Sequence, residues 1–192
     1  MTNALVFLLD TFSRLYLLIL LLRFWLPLLL ANFRNPVAQG VMRYTSPLVT
    51  PVRRYIPSFG RIDTATVLIA FLIQFAVTYL IMLLRVLSQG TGDVAMMTNA
   101  NLFLALAFQA VVQLLSLSVM LFIVAIVVRV VLSLLGRYIG PISDMLSDLT
   151  EPLMRPVRRI IPPLGVVDIS AYIVIVLLFA LNMILTDLVT MG

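Results

Sequence analysis

Residues 45–63 read TSPLVTPVRRYIPSFGRID, and residues 150–168 read TEPLMRPVRRIIPPLGVVD. At an offset of 105, eleven of the nineteen positions are identical: Thr45/Thr150, Pro47/Pro152, Leu48/Leu153, Pro51/Pro156, Val52/Val157, Arg53/Arg158, Arg54/Arg159, Ile56/Ile161, Pro57/Pro162, Gly60/Gly165 and Asp63/Asp168. A match that long marks an internal duplication. On both sides of each copy the sequence turns apolar, in tracts from about Ala4 to Ala31, Ala65 to Leu87, Leu102 to Leu135 and Ile169 to Leu188. Each is long enough to cross a hydrocarbon core of ~30 Å as a helix. The third, ~50 Å if straight, must tilt, kink or emerge past the headgroups. The expected fold is an all-α membrane protein. Its four transmembrane helices form two tandem parallel repeats, each a helix, an interfacial amphipathic loop and a second helix. The first repeat spans 1–87, an external connection 88–101, and the second repeat 102–192.

Composition agrees with this reading. Hydrophobic residues make up 62% of the 192, charged residues 11%, and mean hydropathy is +1.16, against about a quarter charged in a soluble domain. No room remains for a large soluble catalytic domain. Cysteine and histidine are absent, which removes disulfides, thiolate chemistry, the usual zinc sites and His-ligated haem; no metal and no other cofactor is expected. All 13 basic residues are arginine. Arginine's planar, permanently charged fork suits carboxylates and phosphate headgroups. A net charge of +5 on such a chain points to anionic phospholipid, with no direct nucleic-acid contact.

The arginines are unevenly placed. The loop from Asn32 to Thr64 holds five and the loop from Gly136 to Asp168 four, while Ser88 to Asn101 holds none. The positive-inside rule therefore puts both repeated loops in the cytoplasm and both termini outside. With two spans per unit, the halves share one orientation, related by an axis along the membrane normal.

Within the phrase, the P-x-x-x-P spacing argues against one long helix, because a second ring clashes with the carbonyl four residues earlier. A short helical piece is expected instead, opened by Thr45 or Ser46 with Pro47 in its first turn. Leu48, Val52 and Ile56 would make one apolar side, as would Leu153, Val157 and Ile161. Arg53, Arg54, Arg158 and Arg159 would then reach lipid phosphates or a partner protein. Ile-Pro-x-x-Gly closes each piece, and Asp63 or Asp168 stands as N-cap of the next span. Each carboxylate either caps with a solvated partner or also joins a network with the arginines. Fainter repetition precedes the phrase: Asn35-Pro36 answers Gly140-Pro141. Arg23 and Arg129 lie inside apolar sequence, where a charge costs ~2.5 kcal/mol or more at the bilayer centre. They must snorkel to the cytoplasmic face, the plainer expectation, or find a carboxylate, for which Asp63 and Asp168 are candidates.

Polar residues dot the spans: Gln74 and Thr78, then Gln109, Gln113 and Ser116, then Asn182 and Thr186. They read first as interhelical hydrogen bonds and otherwise as the lining of a conduit. The stripes do not repeat, since Gln74 corresponds to Phe179. Asp10 and Arg14 are four apart and should neutralise each other. Asp144, Asp148 and Glu151 share a helical face and read as a solvated acidic face ahead of a divalent-metal site.

In Arg23-Phe24-Trp25, Asn35-Pro36 and both copies of T-x-P-L-x-x-P-V-R-R-x-I-P-x-x-G-x-x-D, the chain resembles the YGGT family of small membrane proteins, in its two-copy bacterial form. The second copy departs with Gly140 before Pro141 and with Arg129-Val130-Val131 in place of the aromatic pair. The resemblance implies a multi-pass location in the bacterial plasma membrane. For bacterial members it implies a connection with osmotic-shock tolerance and ion movement. For plastid relatives it implies cytochrome-complex assembly and nucleoid organisation. It brings no enzymatic activity.

With no Cys, His or Lys, no convincing nucleophile–base constellation remains, so no enzyme is expected. The favoured function is a scaffold or assembly factor whose arginine-rich loops bind anionic lipid and an unidentified membrane protein. The alternative is an ion channel or transporter in osmotic adaptation, which with four spans requires a homo-oligomer.

Overall fold

The computed structural model describes residues 2–29, 34–89, 100–160 and 168–191. Pro162, Gly165 and most of the connection at 88–101 lie outside the described residues. Six helices follow one another: α1 (Thr2–Leu28), α2 (Pro36–Arg53), α3 (Thr64–Gln89), α4 (Ala100–Leu134), α5 (Gly140–Ile160) and α6 (Ile169–Met191). Four of them, α1, α3, α4 and α6, are long and apolar enough to cross a membrane. Their outward faces carry exposed Phe7, Leu72, Leu104 and Leu177, the surface that lipid rather than water would cover. The third span stays one unbroken helix of 35 residues; it is also the most buried of the four.

The two proline-bearing segments are continuous helices, longer than the proline spacing suggests. Pro47 and Pro51 lie inside α2, Pro152 and Pro156 inside α5. Side chains take up carbonyls in the turn before the first ring. The Thr45 hydroxyl donates to the Val41 carbonyl at 2.6 Å and the Ser46 hydroxyl to the Met42 carbonyl at 2.6 Å. Thr150 donates likewise to Leu146 at 2.7 Å. Hydroxyl back-bonding of this kind is found within helices. Thr45 and Ser46 are therefore interior residues. The N-cap of α2 is Asn35, whose side-chain oxygen accepts from the Val37 amide at 2.9 Å, with Pro36 in the first turn, where a missing N–H is harmless.

The buried stripe is also offset from the expected one. Ala38, Thr45 and Val49 face the spans, while Leu48 is exposed. After α2 the chain turns at Gly60, whose φ of +59° is a left-handed conformation natural to glycine. The Thr64 hydroxyl bonds the Pro57 carbonyl at 2.8 Å across that turn.

Both amphipathic helices sit at one end of the bundle and meet there. The Asn35 side-chain amide donates to the Pro141 carbonyl at 2.5 Å, so one asparagine caps its own helix and ties down the other repeat. Gly140, with no side chain, cannot reciprocate. Each repeat has its own apolar centre: Leu17, Leu20, Val49, Ala65 and Ile69 in the first, Ile126, Met154, Ala171 and Val174 in the second. Between them, Leu21 of α1 packs with Leu121, Phe122 and Ala125 of α4 and Leu146 and Leu149 of α5.

The repeats are not a closed two-fold pair. Helix α4 packs on α3, yet among the described residues α6 makes no close approach to α1. The same asymmetry marks the amphipathic helices. Leu149 is 1% exposed at the centre, whereas Tyr44, its counterpart 105 residues earlier, is 80% exposed.

Candidate functional site, twin arginine–carboxylate clusters

Where each amphipathic helix meets its spans, the repeated residues form a cluster. In the first repeat, Arg23 of α1 is 4% exposed. One guanidinium nitrogen donates to the Thr45 hydroxyl at 2.7 Å, the Met42 carbonyl at 3.0 Å and the Ser46 hydroxyl at 3.4 Å. Its Nε lies 3.6 Å from the Asp63 carboxylate and has no hydrogen-bond partner. Arg53, at the end of α2, donates to the same carboxylate at 2.7 Å. Asp63 completes its duties by capping α3: it accepts from the Thr66 hydroxyl at 2.8 Å and the Thr66 amide at 3.4 Å. One carboxylate thus joins α1, α2 and α3. Arg23 does not snorkel, because its partner and hydroxyl acceptors lie within the fold, and a buried charge is tolerable only with such partners.

The second repeat reproduces this with one change. Arg129 of α4 donates to Thr150 at 2.7 Å, the match of Arg23 to Thr45. Arg158 donates to Asp168 at 2.5 Å, the match of Arg53 to Asp63. The carboxylate nearest Arg129, however, is Glu151 at 3.1 Å, not Asp168, and Glu151 also binds Arg158 at 3.2 Å. Glu151 stands where the first repeat has Ser46. It therefore leaves the expected solvated acidic face, although the 105-residue offset that reveals the repeat already aligns it with a residue beside Arg23.

Asp168 caps α6, accepting from the Ser170 amide at 3.1 Å. Burial alone would lift its carboxyl, but Arg158 and the Ser170 hydroxyl and amide outweigh that and hold it below the ordinary aspartate value. A depressed folded-state value contributes stability that is present above the unfolded value, near 3.9, and lost as pH falls through the folded one. Thermal unfolding in detergent should therefore fall as the solution is acidified below about pH 4. Asp168→Asn should flatten that dependence; an unchanged acid limb would remove Asp168 from the cause. Nearby, the Tyr138 hydroxyl donates to Asp144 at 2.7 Å, a bond that raises the phenol's value.

The arginine doublets are thus divided. Arg158 and Arg53, the latter itself half exposed, pair with carboxylates of the fold, while Arg54 and Arg159 are exposed and, among the described residues, take part in no ion pair. Among the described residues no group of three carboxylates, histidines or cysteines is arranged to hold a metal ion.

Five of the polar residues of the spans join helices, while the Thr186 hydroxyl bonds the Asn182 carbonyl of its own helix at 2.6 Å. The Gln74 amide donates to the Gln113 carbonyl oxygen, and Thr78 lies 3.3 Å from the same oxygen, linking α3 to α4. Ser116 and Asn182 link α4 to α6 at 2.5 Å. Gln109, half-buried, lines with Gln113, Asp10 and Arg14 a cavity of about 790 Å³ at the end away from the clusters; Arg14 and Asp10 pair there at 2.9 Å.

Four apolar spans and a doubled arginine–carboxylate brace define a multi-pass, internally duplicated membrane protein. A family model described as CCB3/YggT matches residues 2–84 and 108–189, one segment in each repeat. The chain belongs to this family. It is 50% identical over 74 residues to an uncharacterised protein of Pseudomonas aeruginosa, covering 38% of each chain. It is 44% identical over 73 residues to the uncharacterised YggT of Escherichia coli strain K12, covering 38% of this chain and 39% of that one. These matches span under two fifths of both relatives. An uncharacterised protein of Haemophilus influenzae is 32% identical over 173 residues, covering 89% of this chain and 85% of the other. No solved structure matches.

Proposed function

We propose that the chain is a non-enzymatic scaffold or assembly factor of the bacterial inner membrane. Its two amphipathic helices lie along the cytoplasmic leaflet and hold anionic lipid and a membrane-protein partner. The observation that carries this reading is the division of labour within each doublet. The first arginine braces the fold through a carboxylate, and the second is left exposed in both repeats. Exposed arginines beside a membrane surface gain about 1 kcal/mol each from anionic headgroups. Asp63, Glu151 and Asp168, the acidic residues of the clusters, serve as caps and arginine partners. Gln74, Thr78 and Gln113 bond one another, as do Ser116 and Asn182, which suits packing better than conduction.

The test uses Arg54→Gln/Arg159→Gln. Co-flotation with phosphatidylglycerol liposomes should weaken roughly thirtyfold at low salt, since two arginines at the surface contribute about 2 kcal/mol. The difference should shrink at high salt. Flotation equal to wild type at low salt would count against the reading. Selective ion flux from proteoliposomes, lost on Gln113→Leu, would favour a conduit in its place.

A further inference from the structure

We propose that the first repeat, and not the second, holds one anionic phospholipid as a structural ligand, its phosphate on Arg53 and one acyl chain in a groove between α1, α3 and α4. This rests on the reading that the motif face meets an anionic leaflet. The groove has a volume of about 490 Å³ and is walled by apolar side chains of the spans, among them Leu21, Phe24, Val67 and Phe71. Its rim includes Ile62, Thr64 and Thr66, the residues around Asp63. Arg53 is half exposed and bonds Asp63 at 2.7 Å, and Asp63 accepts from the Thr66 hydroxyl at 2.8 Å, so two hydrogen bonds connect its guanidinium to a residue that lines the groove.

Charge decides which repeat takes the lipid. In the first cluster Arg23 and Arg53 share one carboxylate, Asp63. One positive charge is left over, and the buried Arg23 Nε lacks a hydrogen-bond partner. In the second cluster Arg129 and Arg158 meet two carboxylates, Glu151 and Asp168. That cluster is neutral by itself. The first repeat lacks the negative charge that Glu151 supplies, because Ser46 stands in its place. A phosphodiester on Arg53 restores the balance, and guanidinium binds phosphate with two parallel hydrogen bonds. Free phosphate would leave the groove unfilled. A zwitterionic lipid would bring its own cation. An anionic phospholipid satisfies both halves of the site at once.

Native mass spectrometry of the full chain, released from nanodiscs of phosphatidylglycerol or of phosphatidylcholine, tests this. Wild type should retain one phosphatidylglycerol per chain, about tenfold more than phosphatidylcholine, a difference of 1.4 kcal/mol. Added inorganic phosphate should not displace it. Ser46→Glu supplies the missing carboxylate and should abolish retention. Val67→Trp, at an exposed wall of the groove, should do so by filling it. Both variants should float with phosphatidylglycerol liposomes as wild type does, since Arg54 and Arg159 are intact. Retention unchanged in both variants, equal retention of phosphatidylcholine, or displacement by inorganic phosphate overturns the lipid site. Loss of flotation by wild type itself would instead overturn the surface reading.

Discussion

Replacing Asp63 with alanine should destabilise the protein by about 3–5 kcal/mol, the loss expected when one partner of a buried ion pair is removed and the other stays behind. The reason is the position of Arg23. It is enclosed by α1 and α2, its hydroxyl and carbonyl acceptors carry no charge, and Asp63 is its only carboxylate among the described residues. The same substitution removes the cap of α3 and the anchor of Arg53. Thermal unfolding in mild detergent should shift by on the order of 10 °C. Asp168→Ala should cost clearly less. Glu151 still holds Arg129 and Arg158 in that repeat, and the cluster is more open to solvent. A double change, Arg23→Leu with Asp63→Leu, should recover much of the loss, since the penalty lies in the orphaned charge. Equal small losses for Asp63→Ala and Asp168→Ala would show that the first cluster is not the tighter brace.

The second large effect is expected at Leu149. Its side chain fits among Leu21 of α1 and Leu121, Phe122 and Ala125 of α4, so that α5 is pinned against both repeats. Leu149→Ala should cost about 2–5 kcal/mol, the range for a buried leucine whose cavity does not collapse. Lipid tails compete for apolar surface, but they cannot restore the lost contacts inside a closed centre. Leu48→Ala, at an exposed position of α2, should stay within about 0.5 kcal/mol. The same unfolding measurement compares the two. Matching losses would mean that α5 is not seated as described.

Much of the architecture was legible because membrane spans and a long repeat speak through composition and offset alone. Apolar tracts gave the helices, and the phrase itself set each arginine doublet beside an N-cap aspartate, Asp63 or Asp168, with a network between them as the alternative to a solvated cap. The proline segments misled, because the ring's cost is visible in the sequence while the packing of Ala38, Thr45 and Val49 against the spans, which holds the helix in place, is tertiary. The fate of Arg23 and Arg129 was also hidden. Whether an arginine reaches water or a carboxylate depends on how the amphipathic helix docks, and that is tertiary. Glu151 was grouped with Asp144 and Asp148 by helical spacing, yet its place opposite Ser46 was the better guide. The bridge from Asn35 to Pro141 joins residues on different repeats, and periodicity is silent on such contacts.

The unequal seating of the two amphipathic helices has a consequence for how such a chain can change over time. A symmetric dimer of single-repeat chains must use the same residue in both places, so Tyr44 and Leu149 could not differ, nor could Ser46 and Glu151. Fusion into one polypeptide lifts that constraint. One half becomes free to supply the inner keystone and a self-sufficient charge set, the other to keep an outward tyrosine and an unsatisfied arginine.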